Sequence, residues 1–243
     1  MMQLTLSFKS IIKKIRSICS FYIANRTLNH LQNIREYELD MVIDFLPSEG
    51  RLLEIGAGTG WQADRLSSLG YNVSAIDIES SNYMESRIYP VLDYDGEKLP
   101  FNDNEFDIIF SSNVLEHIPH IYEFQNEIHR VLKPNGIVLH VLPSSSWRFW
   151  SNISEMLRTW KLPQVHGEHA KNAISEIYYF SRWRWSRLFY EASWNIECVS
   201  SNRLFYTGSS IMDSRLSISV RKSLSYVLGG GACNIFVLRG KAE

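Results

Sequence analysis

Cysteine is scarce in this chain, with three residues (Cys19, Cys198 and Cys233) among 243. They lie far apart and none forms a C-x-x-C pair, so neither a disulfide framework nor a thiolate metal site is legible. No run of about 18 apolar residues occurs. The apolar stretch near the start is broken by Lys9, Lys13 and Lys14, which excludes a spanning helix and argues against a secretion signal. A reducing cytoplasm is the expected setting. Proline and glycine form no rich tract, and there is no internal repeat or low-complexity segment, so the parts belong to one folding unit. Net charge is nearly missing too: 25 basic against 26 acidic residues leave −1, which gives no global reason to expect a nucleic-acid partner. What is present is a globular composition, 45% hydrophobic and 21% charged, at a length suited to one large domain.

The balanced total hides segregation. Residues 1–30 carry +5 with no acid, 31–143 carry −12, and 144–243 carry +6. Six of the seven tryptophans fall between Trp147 and Trp194. The chain reads as a basic leader, an acidic middle and a basic, aromatic last third.

The middle alternates strand and helix patterns. Strands are expected at Arg51–Ile55, Tyr71–Ile76 (closed by Asp77), Val91–Leu92, Glu105–Ser111 and Ile137–Leu142. The first is followed by a helix to about Leu69, and the last is preceded by one from about Ile121 to Leu132. Phe106, Ile108, Ile109 and Phe110 are nearly continuous in apolar character, as a parallel strand covered on both faces requires. Trp194–Val199 and Asn234–Leu238 supply later strands. Strands separated by helices imply a doubly wound, mostly parallel sheet, with ligands beyond the carboxyl ends where strand order reverses.

At the first strand-to-helix turn stand Gly56-Ala57-Gly58-Thr59-Gly60. Glycines there admit positive φ and close approach of a ligand, and the helix start offers unpaired N–H groups to an anion. The spacing is G-x-G-x-G, whereas a dinucleotide site wants G-x-G-x-x-G, so NAD is disfavoured.

The run Leu53-Glu54-Ile55-Gly56-Ala57-Gly58-Thr59-Gly60 resembles the first motif of the class I S-adenosylmethionine-dependent methyltransferases, of the type 11-like kind. Further segments match in order: Asp77 after the second strand, Asp95-Gly96-Glu97-Lys98-Leu99-Pro100-Phe101 with Phe106-Asp107, Ser111 to His117, and Arg130 to Gly136. The resemblance implies a Rossmann-like α/β fold: a seven-stranded, mostly parallel sheet with an antiparallel last strand. It also implies S-adenosyl-L-methionine as cofactor. Asp77 would accept both ribose hydroxyls with Ile78 beside it, and Asp95, Gly96 and Glu97 would meet the adenine. Glu54, Gly56, Ala57, Gly58 and Gly60, with Ser112 and Asn113, would hold the methionine part. On the residues alone, Asp77 also reads as a cap for a helix near Ser80-Ser81, and Asp95 as a loop acid serving its own turn.

Candidate catalytic groups are few. His117 stands just past the fourth strand, and His166-Gly167-Glu168-His169 lies in the region that would cover substrate, so His117, His166 and His169 are the candidate bases for a hydroxyl acceptor. His166–His169 also reads as a solvated loop. Three donors in four residues do not readily converge on one ion, so no metal centre is assigned. Asn113 is followed by Val114-Leu115, not by Pro-Pro and an aromatic, which disfavours methylation of DNA amino groups.

Two flanks bear on the acceptor. Phe8, Ile11, Ile12, Ile15, Ile18, Cys19 and Tyr22 share one helical face with lysines outside it, which suits an anionic membrane surface and equally a helix packed over the sheet. Tyr178–Tyr190 interleaves aromatics with three arginines, suiting a sugar or pyrophosphate and equally a helix packed on the sheet. The division expected is a basic amphipathic helix over 1–28 and a methyltransferase domain over 29–243. Within it lie a cofactor core at 51–143 and substrate-cover elements at 144–192 and 202–232, the last with a helix at Ile211–Leu228. The expected function is methylation of a small-molecule or glycan acceptor, foremost O-methylation of a sugar, free or lipid-linked, in bacterial envelope polysaccharide synthesis. Methylation of a quinone or lipid-like metabolite, and a non-catalytic cofactor-binding scaffold, are the alternatives. A location in the cytoplasm, with or without contact to the inner membrane through 8–22, goes with these readings.

Overall fold

The computed structural model describes residues 30, 32–161, 163–211, 213 and 215–240. The leader expected over 1–28 therefore lies outside the described residues. One sheet carries seven strands: β1 (Arg51–Ile55), β2 (Asn72–Ile78), β3 (Val91–Tyr94), β4 (Phe106–Ser112), β5 (Leu132–Pro143), β6 (Trp194–Ser201) and β7 (Cys233–Gly240). Their order is β3-β2-β1-β4-β5-β7-β6. The five strands β3 to β5 pair in parallel, and β7 lies antiparallel between β5 and β6. This is the doubly wound, Rossmann-like sheet that the alternating pattern implied. Its order reverses between β1 and β4, which opens a crevice at their carboxyl ends.

Both faces are covered. Neighbours along one strand sort to opposite cores, as the two-residue side-chain period of a strand requires. Leu53 and Ile109 join one core with Phe124 and Ile128 of α3 (Ile121–Val131) and Trp185, Leu188 and Phe189 of α6 (Arg182–Glu191). Leu52 and Ile108 join the other with Ile34, Leu39 and Val42 of α1 (the helix over 32–43), Leu66 of α2 (Trp61–Ser68), and Leu204 and Tyr206. Beyond β5, α4 (Ser145–Thr159) and the short α5 (Ser175–Tyr179) cross above the crevice. The Ser144 hydroxyl starts α4 by accepting from the Trp147 N–H at 3.0 Å.

One expectation changes. The helix drawn over Ile211–Leu228 is shorter: α7 covers Ile218–Val227 and is capped by the Ser217 hydroxyl. The segment before it wraps the fully buried guanidinium of Arg221. Arg221 donates to the carbonyls of Phe205 at 3.2 Å, Ser210 at 2.7 Å, Asp213 at 3.0 Å and Leu216 at 3.0 Å. A helix through 211–217 would turn the Asp213 and Leu216 carbonyls into its own ladder and take two acceptors from that buried charge. Of the two readings of Tyr178–Tyr190, the structure carries the packed one. Its bulky residues Trp185, Leu188 and Phe189 are packed into the core, while Arg184 lies over Tyr179, and Arg187 over Trp183 with its guanidinium paired to Glu191. The segment spans the end of α5 and most of α6 and packs over the sheet.

Trp194 joins α3 to β6. It is 1% exposed, stacks on His129 at 3.6 Å, and donates its indole N–H to Gln125 Oε1 at 2.8 Å. Trp194→Ala should destabilise the protein by about 3–5 kcal/mol, read from urea midpoints. Trp194→Phe should lose a smaller amount, about 1–3 kcal/mol, because ring burial survives while the Gln125 oxygen loses its donor.

Candidate functional site

The crevice is built around the turn that leaves β1. Gly56, Gly58 and Gly60 have φ of +73°, +56° and +77°. The amides of Gly56 and Ala57 both donate to the Ile76 carbonyl at 2.9 Å, fastening the turn to β2. A Cβ on Gly56 would stand 2.3 Å from Val114 Cγ2, and one on Gly60 2.6 Å from Tyr89 Cβ. Glycine is thus required at both positions by conformation and by space.

Asp77 answers this turn from the end of β2. Its Oδ2 accepts from the Gly58 N–H at 2.9 Å and the Ser81 hydroxyl at 2.8 Å, and its Oδ1 accepts from the Ile78 N–H at 2.8 Å. A carboxylate has about four lone-pair positions, so one remains, and a second frees if the Ser81 hydroxyl turns away. Beside it the Ile78 side chain is exposed and approaches Gly96, where a Cβ would meet Ile78 Cγ2 at 3.4 Å. Asp95 Oδ1 accepts from the Glu97 and Lys98 amides at 2.8 and 3.0 Å, which leaves acceptor positions on the carboxylate. Asp77, Ile78, Asp95, Gly96 and Glu97 therefore gather at one end of the crevice, with acceptor capacity for hydroxyl and amino donors.

At the other end Glu54 is 1% exposed. The Ala63 amide answers its carboxyl, but Oε2 has no partner, and burial pushes its pKa up to about 8. Asn113, at φ +56°, receives the Cys233 thiol on Oδ1 at 3.6 Å and donates to the Ser112 hydroxyl at 3.1 Å. A cavity of about 350 Å³ opens here, bordered by Gly56, Ser112 and Asn113 and closed on its far side by Trp147, His166, Tyr206 and Ile211. An unpartnered buried carboxyl oxygen and two acids with spare acceptor positions fit S-adenosyl-L-methionine, which carries an ammonium group, ribose hydroxyls and an adenine amine.

His117 and His166 both line this cavity, with ring centres 4.9 Å apart. Burial lowers the pKa of each, and for His166 the neighbouring His117 and Arg148 add to it and bring it to about 4. Both imidazoles are therefore neutral at physiological pH. His166 is fixed by a chain of contacts. Glu176, fully buried, accepts from the His166 and Gly167 amides at 2.9 and 2.6 Å, and pairs with Arg148 at 2.6 Å. His169 is turned elsewhere: its Nε2 lies 3.4 Å from the Leu115 carbonyl, and it does not border the cavity. The sequence did not single out Arg35, Trp147, Tyr206 and Cys233, which complete the walls. They come from four separate elements, and only the crowding of tryptophans after residue 147 hinted at one of them. The 202–232 insertion frames this cavity through Tyr206, Gly208 and Ile211.

Residues 53–140 match the family model described as a methyltransferase domain. The chain is 32% identical over 133 residues to the biotin biosynthesis bifunctional protein BioHC of Cellvibrio japonicus, covering 51% of this chain and 26% of that one. It is 29% identical over 142 residues to the ubiquinone biosynthesis O-methyltransferase of Rickettsia typhi, covering 54% and 57%. The chain thus spans about a quarter and just over half of the length of these relatives. An S-adenosylmethionine dependent methyltransferase from Mesorhizobium loti shares the fold, with a TM-score of 0.58 at 15% identity over 84% of this chain and 97% of that one.

Two outcomes follow from the geometry. Asp77→Ala should weaken S-adenosylhomocysteine at least about tenfold in titration calorimetry, and Ser81→Ala should change it by less than about threefold. Glu54 sets a pH dependence. Its carboxyl ionises near 4.5 when unfolded and near 8 when folded. The native state then holds a proton that the unfolded state has lost, so stability falls as pH rises from 4.5 to 8 and levels off above. Urea midpoints across that range should fall less steeply for Glu54→Gln, by up to about 1.4 kcal/mol per pH unit.

Proposed function

Starting from a chain that carries a methyltransferase domain of the class I, S-adenosyl-L-methionine-dependent type, we propose that the protein transfers a methyl group to a hydroxyl oxygen of a small, ring-bearing acceptor seated beneath α4. When bound, the cofactor supplies an electrophilic methyl on a sulfonium. The work left to the chain is to align the acceptor, exclude water and manage one proton. The observation that carries this reading is a shared cavity. Gly56, Ser112 and Asn113 border it on the cofactor side, and two neutral imidazoles, His117 and His166, border it where the acceptor would lie. A neutral imidazole can accept the hydroxyl proton or otherwise favour its loss. Trp147 and Tyr206 offer flat walls to a ring.

Between sugar and quinone-type acceptors the balance moves to the second. Tyr178–Tyr190, which suggested a sugar or pyrophosphate grip, packs on the sheet and gives the cavity none of its lining residues. The ubiquinone biosynthesis O-methyltransferase among the relatives favours a phenolic ring. Among the described residues no helix is long and apolar enough to cross a membrane, so a lipid-tailed acceptor would be met from the surface. The amphipathic stretch over 8–22 suits that contact.

With methyl-labelled cofactor, phenolic acceptors should take up label in an alkali-stable ether. Trp147→Ala should raise the acceptor KM roughly tenfold while leaving S-adenosylhomocysteine binding unchanged. Label on a sugar hydroxyl would replace the phenolic reading, and an alkali-labile ester would overturn the hydroxyl. Intact cofactor binding with no transfer to any acceptor would leave a scaffold or sensor.

A further inference from the structure

Glu116, a buried acid beside the crevice, is used by neither the sequence reading nor the proposed chemistry. It follows Leu115 in a single 3-10 turn after β4 and has no solvent exposure. Neither carboxyl oxygen has a hydrogen-bond partner. The arginines that could neutralise it are engaged elsewhere, Arg35 with Glu38 at 2.7 Å and Arg148 with Glu176 at 2.6 Å. A buried carboxylate in that condition is strongly unfavourable unless a cation or proton accompanies it.

Two imidazoles stand where a cation would need them. His117 Nε2 lies 3.9 Å from Glu116 Oε1, and one donor atom each from Glu116, His117 and His166 fall within 4.8 Å of one another. Donors around a tetrahedral ion stand about 3.4 Å apart, so side-chain rotations closing the gaps by up to roughly 1.4 Å would complete the set. The meeting is built and not incidental. The loop bearing His166 is strapped to the Glu116 turn, with the Glu168 N–H donating to the Glu116 carbonyl at 2.9 Å. Gly167 packs so close that a Cβ would stand 2.6 Å from that carbonyl oxygen. Glu176 then holds the two amides of His166 and Gly167 from the other side. His166 is thereby delivered to Glu116 and His117 across about 50 residues of chain.

We propose that Glu116, His117 and His166 form a binding site for one divalent transition-metal ion at the floor of the acceptor cavity. One carboxylate with two imidazoles suits zinc, iron(II) or manganese(II), whereas calcium and magnesium prefer all-oxygen shells. Three protein donors leave at least one position open, the arrangement of catalytic and not of structural sites. Two of the three donors, His117 and His166, line the acceptor cavity, so an ion held by them would stand at its wall. An acceptor hydroxyl taken there would have its pKa lowered and release its proton to solvent, leaving the oxygen ready for the methyl. With the ion bound, the two imidazoles serve as ligands and no longer as the base, so the inference revises how the acceptor proton is managed; it rests on the proposed function for the role of the ion, though not for its binding.

Cobalt(II) alone is the probe. Titrated into the full chain after chelator treatment, it should bind one equivalent and give the visible absorption of a low-symmetry nitrogen–oxygen site. Zinc should compete in calorimetry. Glu116→Gln, which keeps the size and removes the charge, and His166→Ala should each weaken binding at least about 100-fold. Near-UV circular dichroism and S-adenosylhomocysteine affinity should stay at wild-type values, which certifies the fold. Absence of binding by wild type would overturn the site and leave Glu116 as a neutral buried acid. Equal binding by wild type and both variants would overturn it too, by placing the ion elsewhere. Metal binding that depends on Glu116 and His166, in a chain that does not bind S-adenosylhomocysteine, would keep the site while the methyltransferase reading fails.

Discussion

The geometry of the cavity hangs on one carboxylate that never enters it. Glu176, at the base of α5, has no solvent exposure, holds the amides of His166 and Gly167, and pairs with Arg148 of α4. Arg148 also donates to the Gln164 carbonyl. One ion pair thus sets the relative positions of α4, the 163–169 loop and α5, three elements that share little apolar contact with the sheet. Removing either partner would strand a buried charge at a penalty of about 3–5 kcal/mol, and the roof would lose its reference point. Trp147, three residues from Ser144 and one from Arg148, reaches the cavity because this pair fixes the rotation of α4.

The same economy explains the charge segregation. The surplus of +6 after residue 143 reads at first as an open anion grip. In the folded chain Arg148 and Arg221 are internal, Arg182 donates to Asn234 Oδ1 at 2.7 Å, and Arg187 pairs with Glu191. Arg148 and Arg221 serve as multi-donor joints that satisfy carbonyls in irregular segments, where no helix or strand ladder does so, while Arg182 ties α6 to the sheet and Arg187 pairs along its own helix. The acidic middle differs. Its parallel strands satisfy their own backbones, so its carboxylates, Glu54 and Asp77 among them, remain available at the ends of strands.

Legibility followed sequence distance. β1, its glycine turn, Asp77 and β4 could be read because each signal lies within one strand–turn–helix unit, where hydrophobic period and backbone conformation act locally. The neutral pair His117 and His166 was named from its two halves, but their approach to 4.9 Å depends on Gly167 lying against the Glu116 backbone, a contact with no local trace. Glu116 itself stood in plain view beside His117. That it is buried and unpartnered, when exposed acids are the rule, is a property of packing from residues 160–180. The helix drawn over 211–228 failed for a related reason: apolar spacing favoured it, and the demand of Arg221 for carbonyl acceptors prevailed.

Glu38 on α1 gives the molecule a second buried joint. Its carboxylate receives the Arg35 guanidinium, the Asn202 amide and the Tyr206 hydroxyl, each at 2.7 Å. Tyr206 in turn touches the Cys233 thiol at 3.1 Å, and both line the cavity. Four positions scattered over about 170 residues therefore share one set of donors and acceptors in which none can change alone without orphaning another. Across descendants of this sequence, positions 35, 38, 202 and 206 should drift as a block: preserved together, or exchanged together for an apolar set of similar volume. The helix that introduces the domain and the loop that shapes its acceptor wall are, in inheritance, a single trait.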